Sequence, residues 1–205
     1  QLRKSVPNLL QGFKTFKEEN PNVKAKLLLH TDWGEVGSGW DIPRYIKEMV
    51  IDPEDILSTY VCHACDFYYV APYQGEDKNC PSCNKEKTFK TKSSIKGIGE
   101  KELNELYNCM DVYCHPFTSG GQELPIQEAK AAGLITLVTE YSCGTDSCYE
   151  DQGGIPLKWN EYREPQTQFI KASTCPKDIA NKLSYVYKMD DVDKAIQELE
   201  VHIDY

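Results

Sequence analysis

Residues 111–139 read DVYCHPFTSGGQELPIQEAKAAGLITLVT, and this stretch decides the fold. Asp111 to Cys114 is a short strand, Leu124 to Ala132 a helix closed by Gly133, and Leu134 to Thr139 a second strand rich in β-branched residues. Strand, helix and strand in succession imply parallel pairing through a right-handed crossover.

The same rhythm extends outward in both directions. Ser5 to Asn20 reads as a helix with Val6, Leu9, Leu10, Phe13 and Phe16 on one face; Ser5 is placed to cap it and Asn20-Pro21 to stop it. Lys26 to His30 is a strand of the kind buried on both faces of a parallel sheet, and the glycine-rich stretch from Gly34 to Gly39 is a loop. Pro43 to Val50 reads as a helix, Ile56 to Val61 as a strand and Glu100 to Cys109 as a helix. Asp178 to Met189 and Val192 to Glu200 are closing helices. The first helix has no strand before it, and the chain opens at Gln1, which together read as a piece beginning just after the first strand of its domain.

Between the second strand and the resumed rhythm lie Cys62-His63-Ala64-Cys65 and Cys80-Pro81-Ser82-Cys83, two CxxC knuckles 14 residues apart. Zinc takes four thiolates in a tetrahedron, and each tight turn aims two sulfurs at one ion. Four cysteines leave no open coordination position, so the expected metal is structural, with His63 outside its shell. A redox pair would be a single CxxC at a helix start. The expected organisation is an α/β domain of residues 1–59 and 92–205 with a zinc-ribbon insertion at 60–91. Cys109 and Cys114 are expected to pack as small apolar residues, and Cys143 to Cys148 to be an ordinary loop rather than a second metal or redox site.

Bulk properties exclude several functions. A net charge of -9 without a basic stripe argues against nucleic acid as the main partner. No apolar run approaches the roughly 20 residues of a membrane-spanning helix. Nine cysteines, an odd number, suit a reducing cytoplasm with bound metal.

Ligands of parallel sheets bind beyond the carboxyl ends of the strands. Three segments are due there: His30 to Asp32, His115 to Glu123, and Glu140 to Gly144. In the second, Gly120 and Gly121 let backbone approach a ligand, and a helix whose first amides favour anions follows. Arg3 and Lys4 would oppose a diphosphate as cations. By composition alone, Arg3-Lys4 is equally an exposed chain end and Gly120-Gly121 an ordinary turn.

Asp111 to Pro116 followed by Gly120-Gly121-Gln122-Glu123-Leu124-Pro125-Ile126-Gln127-Glu128-Ala129 resembles retaining GT-B glycosyltransferases of the group 1 type. Arg3-Lys4 with Pro7 to Phe13, and Leu103 to Tyr107, are similar to that family's phosphate-binding pair with its helix and to the helix before the motif strand. The resemblance implies a Rossmann-like parallel sheet with helices on both faces, half of a GT-B fold. It also implies a nucleoside-diphosphate sugar as donor, transferred with retention to an acceptor hydroxyl without a catalytic metal. It places Arg3, Lys4, Gly120, Gly121, Gln122, Glu123 and Glu128 at the donor, with Glu128 on the ribose hydroxyls.

The family's first motif glutamate falls at Gly120, eight positions before Glu128, and Glu123 or Gln122 is the nearby substitute. His115 and His30 are candidates to touch sugar or acceptor, and no catalytic residue is assigned. The acceptor-binding N-terminal lobe of the family has no counterpart here, so the expected behaviour is nucleotide binding with little turnover. Two other readings stand beside this one. The first is a non-catalytic protein- or glycan-binding module. The second is a nucleic-acid-binding zinc ribbon using Lys78, Lys85, Lys87, Lys90 and Lys92.

Overall fold

A computed structural model describes residues 1–33, 39–91, 96–149 and 154–189. The expected loop at Gly34 to Gly39 therefore falls mostly outside the described residues, and the expected helix from Val192 to Glu200 and Lys92 lie wholly outside them. The chain is mixed α/β and divides into two compact units.

One unit contains Gln1 and Asn22–Leu103. Its sheet is built on β2 (Ile56–Cys62), paired in parallel with β1 (Leu27–Leu29) and antiparallel with β3 (Tyr68–Pro72) and β4 (Phe89–Thr91). The register puts β1 and β4 along successive stretches of β2, Ile56 to Ser58 and Tyr60 to Cys62, while β3 follows its length. β2 is thus one continuous strand joining the parallel pair to the cysteine hairpin. The sequence reading set residues 60–91 apart, whereas by contacts they share a unit with β1 and α2 (Ile42–Glu48). β2, seven residues long and buried at all but one position, runs across the expected boundary between residues 59 and 60.

The other unit contains Leu2–Pro21 and the chain from Asn104 onward. Its parallel sheet runs in the order β5 (Val112–His115), β6 (Ile135–Thr139), β7 (Gly154–Leu157). β6 is buried at every position, as a central strand covered on both faces must be. α4 (Leu124–Ala131) crosses from β5 to β6 and ends at Gly133, whose φ of 76° suits a residue without a side chain. An antiparallel hairpin of β8 (Trp159–Arg163) and β9 (Ile170–Thr174), absent from the sequence reading, follows β7. The strands called at 26–30, 56–61, 111–114 and 134–139 are all present, but in two sheets.

α1 (Val6–Glu19) buries Leu9, Leu10, Phe13 and Phe16, the apolar face read from the sequence, and packs on α5 (Pro176–Tyr187). Gly12 permits the close approach, because a Cβ there would stand 2.6 Å from the Ile179 Cβ. Asn8 Nδ2 donates to the Thr174 carbonyl at 2.8 Å, and Asn20 Nδ2 to Ser184 Oγ at 2.8 Å. Ser5 precedes α1 but its hydroxyl does not cap it. Its φ of 46° is left-handed, and its amide closes the Leu2–Lys4 turn on the Leu2 carbonyl. Among the described residues no helix is long and apolar enough to cross a membrane.

Candidate functional site

In the unit holding β5, three basic side chains converge on one carboxylate. Arg3 Nη1 pairs with Glu123 Oε1, Lys4 Nζ pairs with Glu123 Oε2, and His115 Nε2 lies 3.2 Å from Oε2. Glu123 is only 4% exposed. It precedes α4 at the capping position, yet its side chain caps nothing and turns to the cations instead. Burial works to raise this carboxyl, but hydrogen bonds from His115 and Lys4, the Lys4 charge and the Arg3 contact outweigh it and hold it down at about 2. Lys4 is lowered by burial against the opposing pull of Glu123.

His115 is fixed from behind. The Tyr113 hydroxyl lies 2.9 Å from Nδ1, and the two rings stack with centroids 5.6 Å apart. Burial raises Tyr113 well above the ordinary phenol range and lowers His115. A protonated phenol therefore donates to Nδ1 of a neutral imidazole, and Nε2–H donates to Glu123. Tyr113 and His115 are two apart on β5 and so share one face of the strand. That spacing was the sequence signal for this support, and the sequence reading passed over it.

The loop after β5 carries the remaining candidates. Gly120 and Gly121 are not left-handed, since the positive-φ glycines among the described residues are Gly75 and Gly133. What Gly120 supplies is space: a Cβ there would stand 2.5 Å from Glu123 Oε1. Gly121 faces open space, and Gln122 is exposed. Ser142 Oγ holds the Gly120 carbonyl at 2.6 Å. Backbone bonds set three chain segments side by side, Thr118 N to Arg3 O and Ala172 N to Thr118 O, each 2.9 Å. From that third segment Lys171 Nζ reaches Ser119 Oγ at 2.7 Å.

Glu128 lies apart from this cluster in its bonding. It is exposed on α4 and accepts a 2.8 Å hydrogen bond from the Tyr107 hydroxyl. His30 belongs to the other unit, where its Nδ1 is 3.1 Å from Thr59 Oγ1.

In that unit Cys62, Cys65, Cys80 and Cys83 bring their sulfurs within 4.8 Å of one another. The Cys62–Cys83 and Cys65–Cys80 separations are both 3.7 Å. Sulfurs about 2.3 Å from a central ion at tetrahedral angles lie about 3.8 Å apart, so the thiols fit a metal the size of zinc. Backbone amides support them: Ala64 N donates to Cys62 Sγ at 3.3 Å and Ser82 N to Cys80 Sγ at 3.4 Å. Burial raises the Cys62 thiol, but the Thr88 hydroxyl and the Ala64 and Cys65 amides outweigh it and bring it to about 6. Among the described residues this is the one cluster with metal-binding spacing.

Cys148 packs against Phe117, Ile126 and Val138, an apolar role. Cys114 is half-buried, and desolvation pushes its thiol up to about 12, whereas Cys109 is exposed rather than packed because it follows the end of its helix. On the basic flank of the cysteine hairpin Lys90 is neutralised by Asp77 at 2.7 Å, and Lys78 keeps its charge 5.1 Å above the Tyr60 ring.

No protein-family model matches the chain, and no curated protein matches it at a significant level.

Proposed function

We propose that the unit containing β5–β7 binds a nucleoside-diphosphate sugar, as the donor half of a retaining GT-B glycosyltransferase, and that the four cysteines hold a structural zinc. The observation that carries the donor reading is the convergence of Arg3, Lys4 and His115 on Glu123, in the loop at the carboxyl end of a parallel strand. Transfer builds charge on the departing diphosphate, which Arg3 and the loop around Gly121 are positioned to stabilise. Glu123, lying where a side chain at position 120 would lie, is the substitute for the missing motif carboxylate. Glu128, oriented by Tyr107, is the candidate ribose ligand. Bound zinc would tie the two cysteine turns together and leaves no open position for catalysis.

Calorimetric titration with UDP, GDP, ADP and CDP tests the donor reading. One nucleotide should bind saturably, and both Arg3→Ala and Glu128→Ala should weaken it. Sugar transfer by this chain alone would sink the expectation that it binds without turning over.

One observation favours a second reading, a non-catalytic binding module. Arg3 and Lys4 are already paired with an internal carboxylate. Absence of binding to every nucleotide would favour that reading.

A further inference from the structure

We infer that Lys171, carried on the β8–β9 hairpin, is a third anion-binding cation of the donor site and that this hairpin forms one wall of it. The inference rests on the donor-site reading and names a residue that the sequence motif does not.

Charge and geometry both lead to it. Arg3 and Lys4 share one buried carboxylate, so their combined field is that of a single cation. Lys4 is the more committed of the two, because its side chain is 26% exposed against 44% for Arg3. Lys171 differs. Its hydrogen bond is to the neutral Ser119 hydroxyl, and it makes no ion pair among the described residues. Three cations less one carboxylate leave two positive charges, matching the two negative charges of the diphosphate bridge in a nucleotide sugar.

The backbone fixes where those charges stand. Thr118 is bonded on one side to Arg3 and on the other to Ala172, so Arg3 and Lys171 flank the same loop segment. Three residues along that loop from Thr118 is Gly121, where a side chain would meet nothing. The proposed phosphate lies against this loop, contacted by the partly exposed Arg3 guanidinium and by the Lys171 ammonium. The hairpin is held there independently of Lys171, by the Tyr141 hydroxyl donating to the Ile170 carbonyl at 2.8 Å and Trp159 Nε1 donating to the Glu140 carbonyl at 2.7 Å.

The test is calorimetric titration of the full chain with inorganic diphosphate and with the four nucleoside diphosphates. Wild type is compared with Lys171→Met, Lys171→Arg, Ser119→Ala and the exposed control Lys158→Met, each first matched to wild type in thermal melting. Lys171→Met should weaken diphosphate binding about tenfold or more and flatten its salt dependence. Lys171→Arg, Ser119→Ala and Lys158→Met should stay within about threefold, because each keeps the charge beside the loop. If wild type binds and Lys171→Met binds equally well, the inference falls and the donor reading stands. An equal loss in Ser119→Ala also overturns it, reducing Lys171 to a prop for the loop. If wild type binds no diphosphate, both fall together.

Discussion

The carboxylate of Glu123 lies over Gly120, its Oε1 2.5 Å from where a Cβ at position 120 would stand. The two positions therefore compete for one volume, and the chain fills it from position 123. A side chain at 120 would make the Glu123 carboxylate shift from the position in which it meets Arg3 and Lys4.

The pairing makes stability acid-sensitive in one window. The Glu123 carboxyl is lowered from about 4.5 to about 2 on folding. A depressed carboxyl contributes stability above its unfolded value and loses it as pH falls through the folded one, so the contribution fades between about pH 4.5 and 2. Allowing for solvent screening at the partly exposed Arg3, it amounts to about 1–3 kcal/mol. Glu123→Gln should cost about 2 kcal/mol at neutral pH and remove this component of the acid transition, as followed by urea unfolding at stepped pH. A variant with an unchanged acid profile would mean the ion pairs contribute nothing.

Gly12→Ala should destabilise the α1–α5 contact by about 1–3 kcal/mol, because the new methyl overlaps the Ile179 Cβ at a backbone-fixed position. Combining it with Ile179→Ala should recover part of the loss in chemical denaturation.

Tyr107→Phe removes the hydroxyl that holds Glu128 and should cost about 1 kcal/mol or less, since Glu128 is exposed to water. Its larger effect should be on nucleotide affinity, reduced severalfold in the direction of Glu128→Ala. Unaltered affinity would separate Glu128 from the ligand.

Elemental analysis of chain purified without chelator should find one zinc per molecule. Cys80→Ser should abolish it, because the Cys80 sulfur accepts the Ser82 amide and lies 3.7 Å from Cys65. Metal removal should loosen β3 and β4, read as faster amide exchange at Tyr68 and Phe89.

The α/β character, the main strands and helices, and the four clustered thiols were determined by the sequence alone. Each is a local property: apolar runs, turn residues and CxxC spacing act within a few residues of chain. The partition of the strands was decided only in three dimensions, because pairing depends on partners far apart in sequence, and β2 takes three of them. The candidate site divides the same way. Arg3, Lys4 and the Gly120–Glu123 loop are legible as residue types suited to an anion, but Glu123 as their common partner lies 120 and 119 positions away and leaves no periodicity to read. Lys171 was invisible for a further reason: β8 is exposed at all but its first position and β9 is buried only at Ala172 and Thr174, so neither strand shows an apolar run, and the bonds to Thr118, Glu140 and Tyr141 bring the hairpin to the loop.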